Sequence, residues 1–144
     1  MRADRTFIDT NILIYAYTPG DDPRSVIARE VLSKLWRDSA GLLSAQVLQE
    51  FYNIATRKFK PPMSNSEVRE VIVQYGAWCR LPTDPLVVFN AALLAETHTV
   101  SWWDALIVES ACQAGAKYLL SEDLQDGRRF GGLEVRNPFR EVAV

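Results

Sequence analysis

Short apolar segments alternate with longer amphipathic segments along nearly the whole chain. The apolar segments have the length and composition of strands, and they lie at residues 6–9, 41–44, 80–82, 118–121 and 133–136. The segments between them have helical periodicity and capping residues, at about 11–17, 23–38, 44–58, 64–78, 84–98 and 101–115. Strands that alternate with helices favour a parallel sheet covered on both faces. The sequence therefore predicts an α/β protein, a three-layer α/β/α sandwich with a central parallel sheet of four to five strands.

Length and composition are those of one ordinary globular domain. The 144 residues suit a single domain over 1–144, since neither a repeat nor a linker interrupts them. The net charge of −2 argues mildly against a general nucleic-acid binder, although a catalytic acidic cluster would lower the charge of any enzyme. The N-terminus leads directly into a strand, and no apolar stretch reaches the roughly 18 residues of a membrane span. We expect a cytoplasmic protein that does not associate with a membrane.

The two cysteines show no spacing typical of metal ligands. Cys112 follows Val108 on the apolar stripe of a helix, which predicts a reduced thiol in the core. Cys79 is distant from it in the sequence. Reduced cysteines are typical of a cytosolic compartment.

Four acidic residues occupy positions where the surrounding pattern calls for an apolar side chain. Asp9 and Asp123 each end a strand, whereas Glu50 and Asp104 lie on apolar helical stripes. In a parallel α/β sheet, strand C-termini and helix N-termini meet at one edge. Asp104 falls in the first turn of its helix, and Glu50 lies roughly 9 Å along its helix from Ser44. We therefore expect the four carboxylates to converge at that edge.

Each acid taken singly has a structural alternative. Asp9 could cap the helix that follows it, and Asp104 could be the acidic partner of Ser101 in a capping box. Asp123 could be a turn residue. Glu50 is the hardest to explain in this way, because buried stripe positions seldom hold an unpaired acid.

Convergent carboxylates require protonation or a counter-cation. Two unit charges about 4 Å apart repel by about 4 kcal/mol at an effective dielectric of about 20. Oxygen-only ligands favour Mg²⁺ or Mn²⁺ over zinc or copper. The chemistry that such a site suits is attack of a metal-activated water on a phosphodiester.

Four segments around these acids resemble, in order, the motifs of PIN-domain ribonucleases, most closely the VapC-type toxins of toxin–antitoxin pairs. The segments are DTNILIYA at 9–16, SAQVLQEF at 44–51, SWWDALIV at 101–108 and LSEDLQDG at 120–127. Residues 57–97 match no motif of the family.

The resemblance implies cleavage of RNA with Mg²⁺ or Mn²⁺, a homodimer, and inhibition by a small antitoxin protein. By position, Asp9, Glu50, Asp104 and Asp123 correspond to the acidic quartet that holds metal and performs catalysis. Asn11 and Ser121 correspond to its supporting polar residues, with a helix N-terminal residue and a strand-end hydroxyl as their alternatives. Glu122 and Asp126 leave open which acids of the fourth segment contact metal.

Several other residues are candidates for contact with RNA. They are the basic cluster at 57–60, Arg128 and Arg129, and Trp102 and Trp103 beside Asp104. The basic cluster also suits a helix C-terminus, and core packing is the alternative for at least one tryptophan. His98, the single histidine, is interpreted as a surface or capping residue.

Other functions remain open at this point. A phosphatase of the haloacid-dehalogenase type needs an acid two residues after its first Asp, where this chain has Asn11. A housekeeping RNA-processing nuclease without an antitoxin and a non-catalytic binding module are the remaining alternatives. The RNA target, the number of ions and the surface that a partner covers do not follow from the sequence.

Overall fold

Five short strands form one sheet in the computed structural model, which describes residues 3–142. The strands are β1 (Thr6–Ile8), β2 (Gly41–Leu42), β3 (Tyr118–Leu120), β4 (Arg129–Phe130) and β5 (Leu133–Arg136). Their order in the sheet is β2-β1-β3-β5-β4, and every pair is parallel except β4 with β5. The predicted α/β fold with a central sheet of four to five strands is confirmed, and the sheet is parallel as predicted except at β4.

Six α-helices connect these strands. They are α1 (Thr10–Tyr17), α2 (Pro23–Arg37), α3 (Ala45–Arg57), α4 (Asn65–Tyr75), α5 (Pro85–His98) and α6 (Trp102–Gln113), with a 3₁₀ turn at Gly76–Trp78. The capping box of Ser64 and Glu67 is present in both directions. Asp84 accepts a hydrogen bond from the backbone of Val87 at the start of α5. Local capping therefore sets several helix starts where the sequence predicts them.

The order of the strands positions the site. The chain passes from β1 to β2 on one side and later crosses to β3 on the other side of β1. Right-handed connections that run in opposite directions place their helices on opposite faces of the sheet. The two connections leave in opposite directions at the adjacent strands β1 and β3, and a crevice opens there at the C-terminal ends of the strands. Asp9 follows β1 and Asp123 lies just beyond β3, so both acids are at this crevice.

The core is built from the apolar residues of the sheet and the helical faces over it. Phe7, Leu119 and Val135 are almost completely buried in the central strands. At the β2 edge, Gly41 lies against the indole of Trp78, and a Cβ atom on Gly41 would come within 2.4 Å of that ring. Only glycine leaves room for this contact.

Two predictions about local structure are wrong, and one strand was not predicted. Residues 80–82 form no strand, because Pro82 has no backbone N–H to donate to a ladder. The sequence analysis missed β4, although the Gly131–Gly132 pair between β4 and β5 is typical of a hairpin turn. Cys112 is exposed rather than in the core, because the buried face of α6 runs through Val108 and Ala111 and Cys112 lies to one side of it.

No helix within residues 3–142 is long and apolar enough to span a membrane.

Candidate metal centre

Asp9 is a buried carboxylate at the junction of β1 and α1. It is 5% exposed, and its backbone N–H donates to the carbonyl of Leu120 on β3. Its Oδ1 accepts from the backbone of Thr10 at 2.7 Å, and its Oδ2 accepts from the Ser121 hydroxyl at 2.8 Å. Asp9 therefore caps α1, the alternative role suggested by the sequence, and also faces the crevice. Burial raises its pKa from 3.8 to about 6, against the opposing effect of these two hydrogen bonds.

The Ser121–Asp123 segment ties the end of β3 to α1. The Ser121 hydroxyl donates to Asp9 and accepts from the backbone N–H of Asp123 at 3.1 Å. The Asn11 amide donates to Oδ2 of Asp123 at 3.2 Å. Asn11 and Ser121, the two predicted supporting residues, thus lie in direct contact with the acids beside them. Asp123 itself remains exposed to solvent.

The other two acids reach the crevice from helices. The hydroxyl of Ser101 accepts from the backbone of Asp104, but the reciprocal bond, from the backbone N–H of Ser101 to the Asp104 carboxylate, is not among the caps of α6 within the described residues. Within the described part of the chain, the Asp104 carboxylate makes no hydrogen bond and is free to face the pocket. Glu50 is half-buried on α3 and accepts from the Gln46 amide at 2.9 Å.

Three of the four acids form a cluster. Carboxylate oxygens of Asp9, Asp104 and Asp123 all lie within 4.8 Å of one another. Glu50 is outside this group, although it lines the same pocket of about 520 Å³ and its charge also raises the pKa of Asp9. Among residues 3–142, none of the four acids forms an ion pair with lysine or arginine. An oxygen-only cluster without a basic partner fits a hard divalent cation such as Mg²⁺.

The two further acids of the fourth segment are already engaged elsewhere. Glu122 accepts from the Tyr15 hydroxyl at 3.1 Å and lies 3.6 Å from Nε of Arg24. Asp126 accepts from the backbone of Asn137 and pairs with Arg140 at 2.9 Å, and these contacts lower its pKa. Neither belongs to the three-carboxylate cluster.

The candidate RNA contacts divide into engaged and open side chains. Arg129 pairs with Glu134, and Arg128 donates to the carbonyl of His98. Arg57, Lys58 and Lys60 are exposed near the C-terminal end of α3, whereas Phe59 is buried.

Of the two tryptophans beside Asp104, one is packed against the protein and the other is open to the pocket. Trp102 is half-buried against the small cluster formed by Ala91, Ala105 and Leu106. Trp103 is 64% exposed and lines the pocket.

Sequence reasoning missed the polar wall of the pocket. Gln46, Gln49 and Asn53 line it together with Glu50. Their spacing of three or four residues places them on one side of α3, so the position of Glu50 could have indicated them. The contacts of Tyr15 and Arg24 with Glu122 carry no such signal, because they join residues about 100 positions apart.

Comparisons with known proteins agree with this arrangement. A family model described as PIN domain matches residues 6–129, most of the chain. No curated protein sequence matches.

Several solved structures share the fold. A toxin–antitoxin complex from Klebsiella pneumoniae aligns with a TM-score of 0.66 and 16% identity, over 92% of this chain and 97% of that one. VapBC2 from Rickettsia felis, bound to a DNA fragment from its promoter, aligns with a TM-score of 0.62 and 17% identity, over 92% of this chain and 97% of that one. VapC20 from Mycobacterium tuberculosis, described as a toxin that cleaves the sarcin–ricin loop, aligns with a TM-score of 0.60 and 17% identity, over 82% of this chain and 91% of that one. At these identities the likeness concerns the fold alone.

Proposed function

The chain belongs to the PIN-domain family, and from this membership we propose that it is a Mg²⁺- or Mn²⁺-dependent endoribonuclease, the toxin of a toxin–antitoxin pair. The observation that carries the nuclease proposal is the cluster of Asp9, Asp104 and Asp123, whose oxygens lie within 4.8 Å without a basic partner. A buried acid with a raised pKa in such a cluster is costly to the fold, which favours a role in function.

Each acid has a proposed role. Asp9, Asp104 and Asp123 hold the ion, and Glu50, which lies outside the triad, ligates it or orients the attacking water. When bound, a divalent ion lowers the pKa of a coordinated water and stabilises charge on the phosphate and the leaving oxygen. Ser121 and Asn11 orient the carboxylates of Asp9 and Asp123 through their hydrogen bonds. Water then hydrolyses an RNA phosphodiester bond.

The toxin assignment is supported by the solved structures that share the fold, and a cytoplasmic location is proposed with it. Three of them are a toxin–antitoxin complex, a promoter-bound VapBC2 and a toxin that cleaves RNA. The proposed partner is a small antitoxin protein. Induced expression of the chain should arrest growth, and co-expression of a small protein encoded beside it should restore growth. Growth that is unaffected by expression of an active nuclease would favour a housekeeping RNA-processing role instead.

A homodimer is also proposed, on the basis of an apolar stripe on α5. Leu86, Phe89 and Leu93 are spaced three and four residues apart and are 60%, 60% and 48% exposed. Apolar side chains in such a row suit a partner surface. Phe89→Glu should therefore convert the dimer to a monomer in light scattering. Val73→Glu, at a 79% exposed position on α4, is the matched control and should leave the mass unchanged. A monomeric unmodified protein would contradict this part of the proposal.

The nuclease proposal is tested by Asp9→Asn. Asparagine has the same shape and still caps a helix, so the fold should persist. Loss of an ion ligand should lower RNA cleavage by at least about a thousandfold, since metal catalysis supplies several kcal/mol of transition-state stabilisation. The control is Glu109→Gln, on the same helix as Asp104 but outside the pocket. Full cleavage by Asp9→Asn would show that the site is elsewhere.

Metal binding is tested separately by thermal unfolding. An ion that binds only the folded state stabilises it, by about 2.7 kcal/mol at a hundred times the dissociation constant. We expect Mn²⁺ and Mg²⁺ to raise the melting temperature of the unmodified protein and of Glu109→Gln, but not that of Asp9→Asn or Asp104→Asn. A rise of equal size in all four proteins would place the ion outside the cluster.

A further inference from the structure

The pocket that contains the carboxylates is larger than an ion requires. Its volume of about 520 Å³ lies in the range of small-molecule sites, and it extends from the acids to α3 and Trp103. The wall contributed by α3 is polar but uncharged apart from Glu50. The pocket therefore has room and chemical variety for part of a substrate beside the ion.

Trp103 exposes a large aromatic surface into this pocket. Its side chain is 64% exposed, whereas the adjacent Trp102 packs against Ala91 and Leu106. Its backbone carbonyl accepts from the Gln46 amide at 3.3 Å, which joins α6 to α3 across the pocket. The backbone of Trp103 is thus held while its ring is left open. This exposed indole lines the pocket that also contains the carboxylates, so its face is accessible to a ligand bound there.

Two amides line the same pocket and have no partner. Gln49 and Asn53 are exposed and four residues apart on α3. In the part of the chain that the structure describes, neither side-chain amide is in a hydrogen bond, whereas Gln46 is occupied by Glu50 and Trp103. Each free amide offers both a donor and an acceptor, as the edge of a nucleobase does.

We propose that Trp103 stacks on one nucleobase of single-stranded RNA and that Gln49 and Asn53 hydrogen-bond to the edge of that base. This inference rests on the proposed nuclease function, because a base in this subsite belongs to a nucleotide at the metal-binding acids. Proteins read single-stranded RNA in this way, by stacking a base on an aromatic side chain and pairing its edge with polar groups. The pocket thereby selects which nucleotide lies beside the scissile phosphate.

The subsite is tested by binding, without any need for cleavage. The full chain carrying Asp9→Asn, which should not cleave the probe, serves as the parent. The probe is a short fluorescein-labelled single-stranded RNA of randomised sequence, and binding is measured by fluorescence anisotropy. Adding Trp103→Ala should weaken binding by about tenfold, the typical effect of losing one stacked base. Trp103→Phe should restore most of the affinity, and Trp103→Leu should not. Tyr52→Ala removes another exposed aromatic on α3, outside the pocket, and should leave affinity unchanged.

The amides are tested with homopolymer probes. Gln49→Ala with Asn53→Ala should reduce the difference in affinity among single-stranded poly(A), poly(C) and poly(U) by about threefold or more, since each lost pairing removes base discrimination. Trp103→Ala alone should weaken binding to all three. Homopolymer preferences that are unchanged in the double variant would overturn the role of the amides.

The outcomes separate this inference from the proposed function. Unchanged RNA affinity in Trp103→Ala, together with Asp9-dependent cleavage by the unmodified protein, would overturn the subsite and leave the nuclease proposal intact. A parent protein that binds no RNA, beside an unmodified protein that cleaves none, would overturn both. A change of oligomeric state in Trp103→Ala, measured by light scattering, without a change in RNA affinity would overturn the subsite and assign the indole to a contact between copies of the chain.

Discussion

The two sides of the acidic pocket are held in different ways. On the strand side, Asp9 and Asp123 are connected by Ser121 and Asn11 through hydrogen bonds of 2.8 to 3.2 Å. On the helix side, Glu50 has one side-chain partner, and the Asp104 carboxylate has none among residues 3–142. Here "strand side" and "helix side" denote these two pairs of acids with the residues that contact them.

This difference indicates how a site can be preorganised at only one end. The strand side takes its geometry from adjacent parallel strands, and its Asp9 carboxylate is buried and accepts two hydrogen bonds, so that carboxylate has few alternative positions. The helix side depends on side chains that reach into the pocket from α3 and α6. A ligand would therefore meet a rigid strand side and would itself order the helix side, at a cost in side-chain entropy.

The largest expected difference between the two sides is in stability without metal. Burial raises the pKa of Asp9 from 3.8 to about 6, so the folded protein binds this proton more tightly than the unfolded chain. The stabilisation is fully present below about pH 3.8 and is lost as pH rises through about 6. Above about pH 6 the ionised form thus costs about 3 kcal/mol.

Asp9→Asn removes this cost. In chelator at about pH 8 its free energy of unfolding should exceed that of the unmodified protein by up to about 3 kcal/mol, and the gain should disappear toward pH 4. Asp104→Asn should change stability by less than about 0.5 kcal/mol, because its carboxylate is partly exposed and makes no hydrogen bond. Urea unfolding at several pH values measures both. Equal effects of the two substitutions would remove the distinction between the two sides.

A second comparison concerns two buried serines. Ser121 is completely buried and serves Asp9 and Asp123, whereas Ser44 is 3% exposed and its hydroxyl has no partner within the described residues. Ser121→Ala leaves the buried Asp9 carboxylate without one of its two donors and should cost about 1 to 3 kcal/mol.

Ser44→Ala is the matched control for that substitution. It removes an unsatisfied hydroxyl and should lie within about 0.5 kcal/mol of the unmodified protein, or stabilise it. Urea unfolding at neutral pH gives both values. A loss of stability in Ser44→Ala as large as that in Ser121→Ala would mean that the hydrogen bonds of Ser121 are not what hold the strand side.

The positions of the acids could be predicted because they depend on local patterns. Asp9 and Asp123 end apolar strands, and parallel strands bring such ends together whatever the intervening sequence is. Asp104 and Glu50 follow from helical periodicity. The sequence could not predict that Glu50 lies outside the cluster formed by the other three acids. The distance from Glu50 to the other carboxylates depends on how α3 packs against the rest of the fold.

What the sequence could not reveal depends on contacts between distant residues. Glu122 and Asp123 are neighbours with the same charge, and only the positions of Tyr15 and Arg24 assign Glu122 to an ion pair. The same holds for Trp102 and Trp103, since the periodicity of α6 leaves either ring free to face the core. Cys112 shows the converse error: it follows Val108 by four residues, but the buried face of α6 continues through Ala111 instead.

The smallest expected effect compares Glu122, which lies between Ser121 and Asp123 in the chain and so adjoins the strand side, with Glu50 on the helix side. Tyr15→Phe removes the hydroxyl that donates to Glu122, and Gln46→Ala removes the amide that donates to Glu50. The bond from Tyr15 to Oε1 of Glu122 is partly buried, so water replaces it only incompletely, and Tyr15→Phe should cost about 1 kcal/mol. Glu50 lines an open pocket where water can take the place of the amide, and Gln46→Ala should cost about 0.5 kcal/mol or less. Unfolding in chelator measures both, and a larger loss for Gln46→Ala would show that the helix side is the more firmly held of the two.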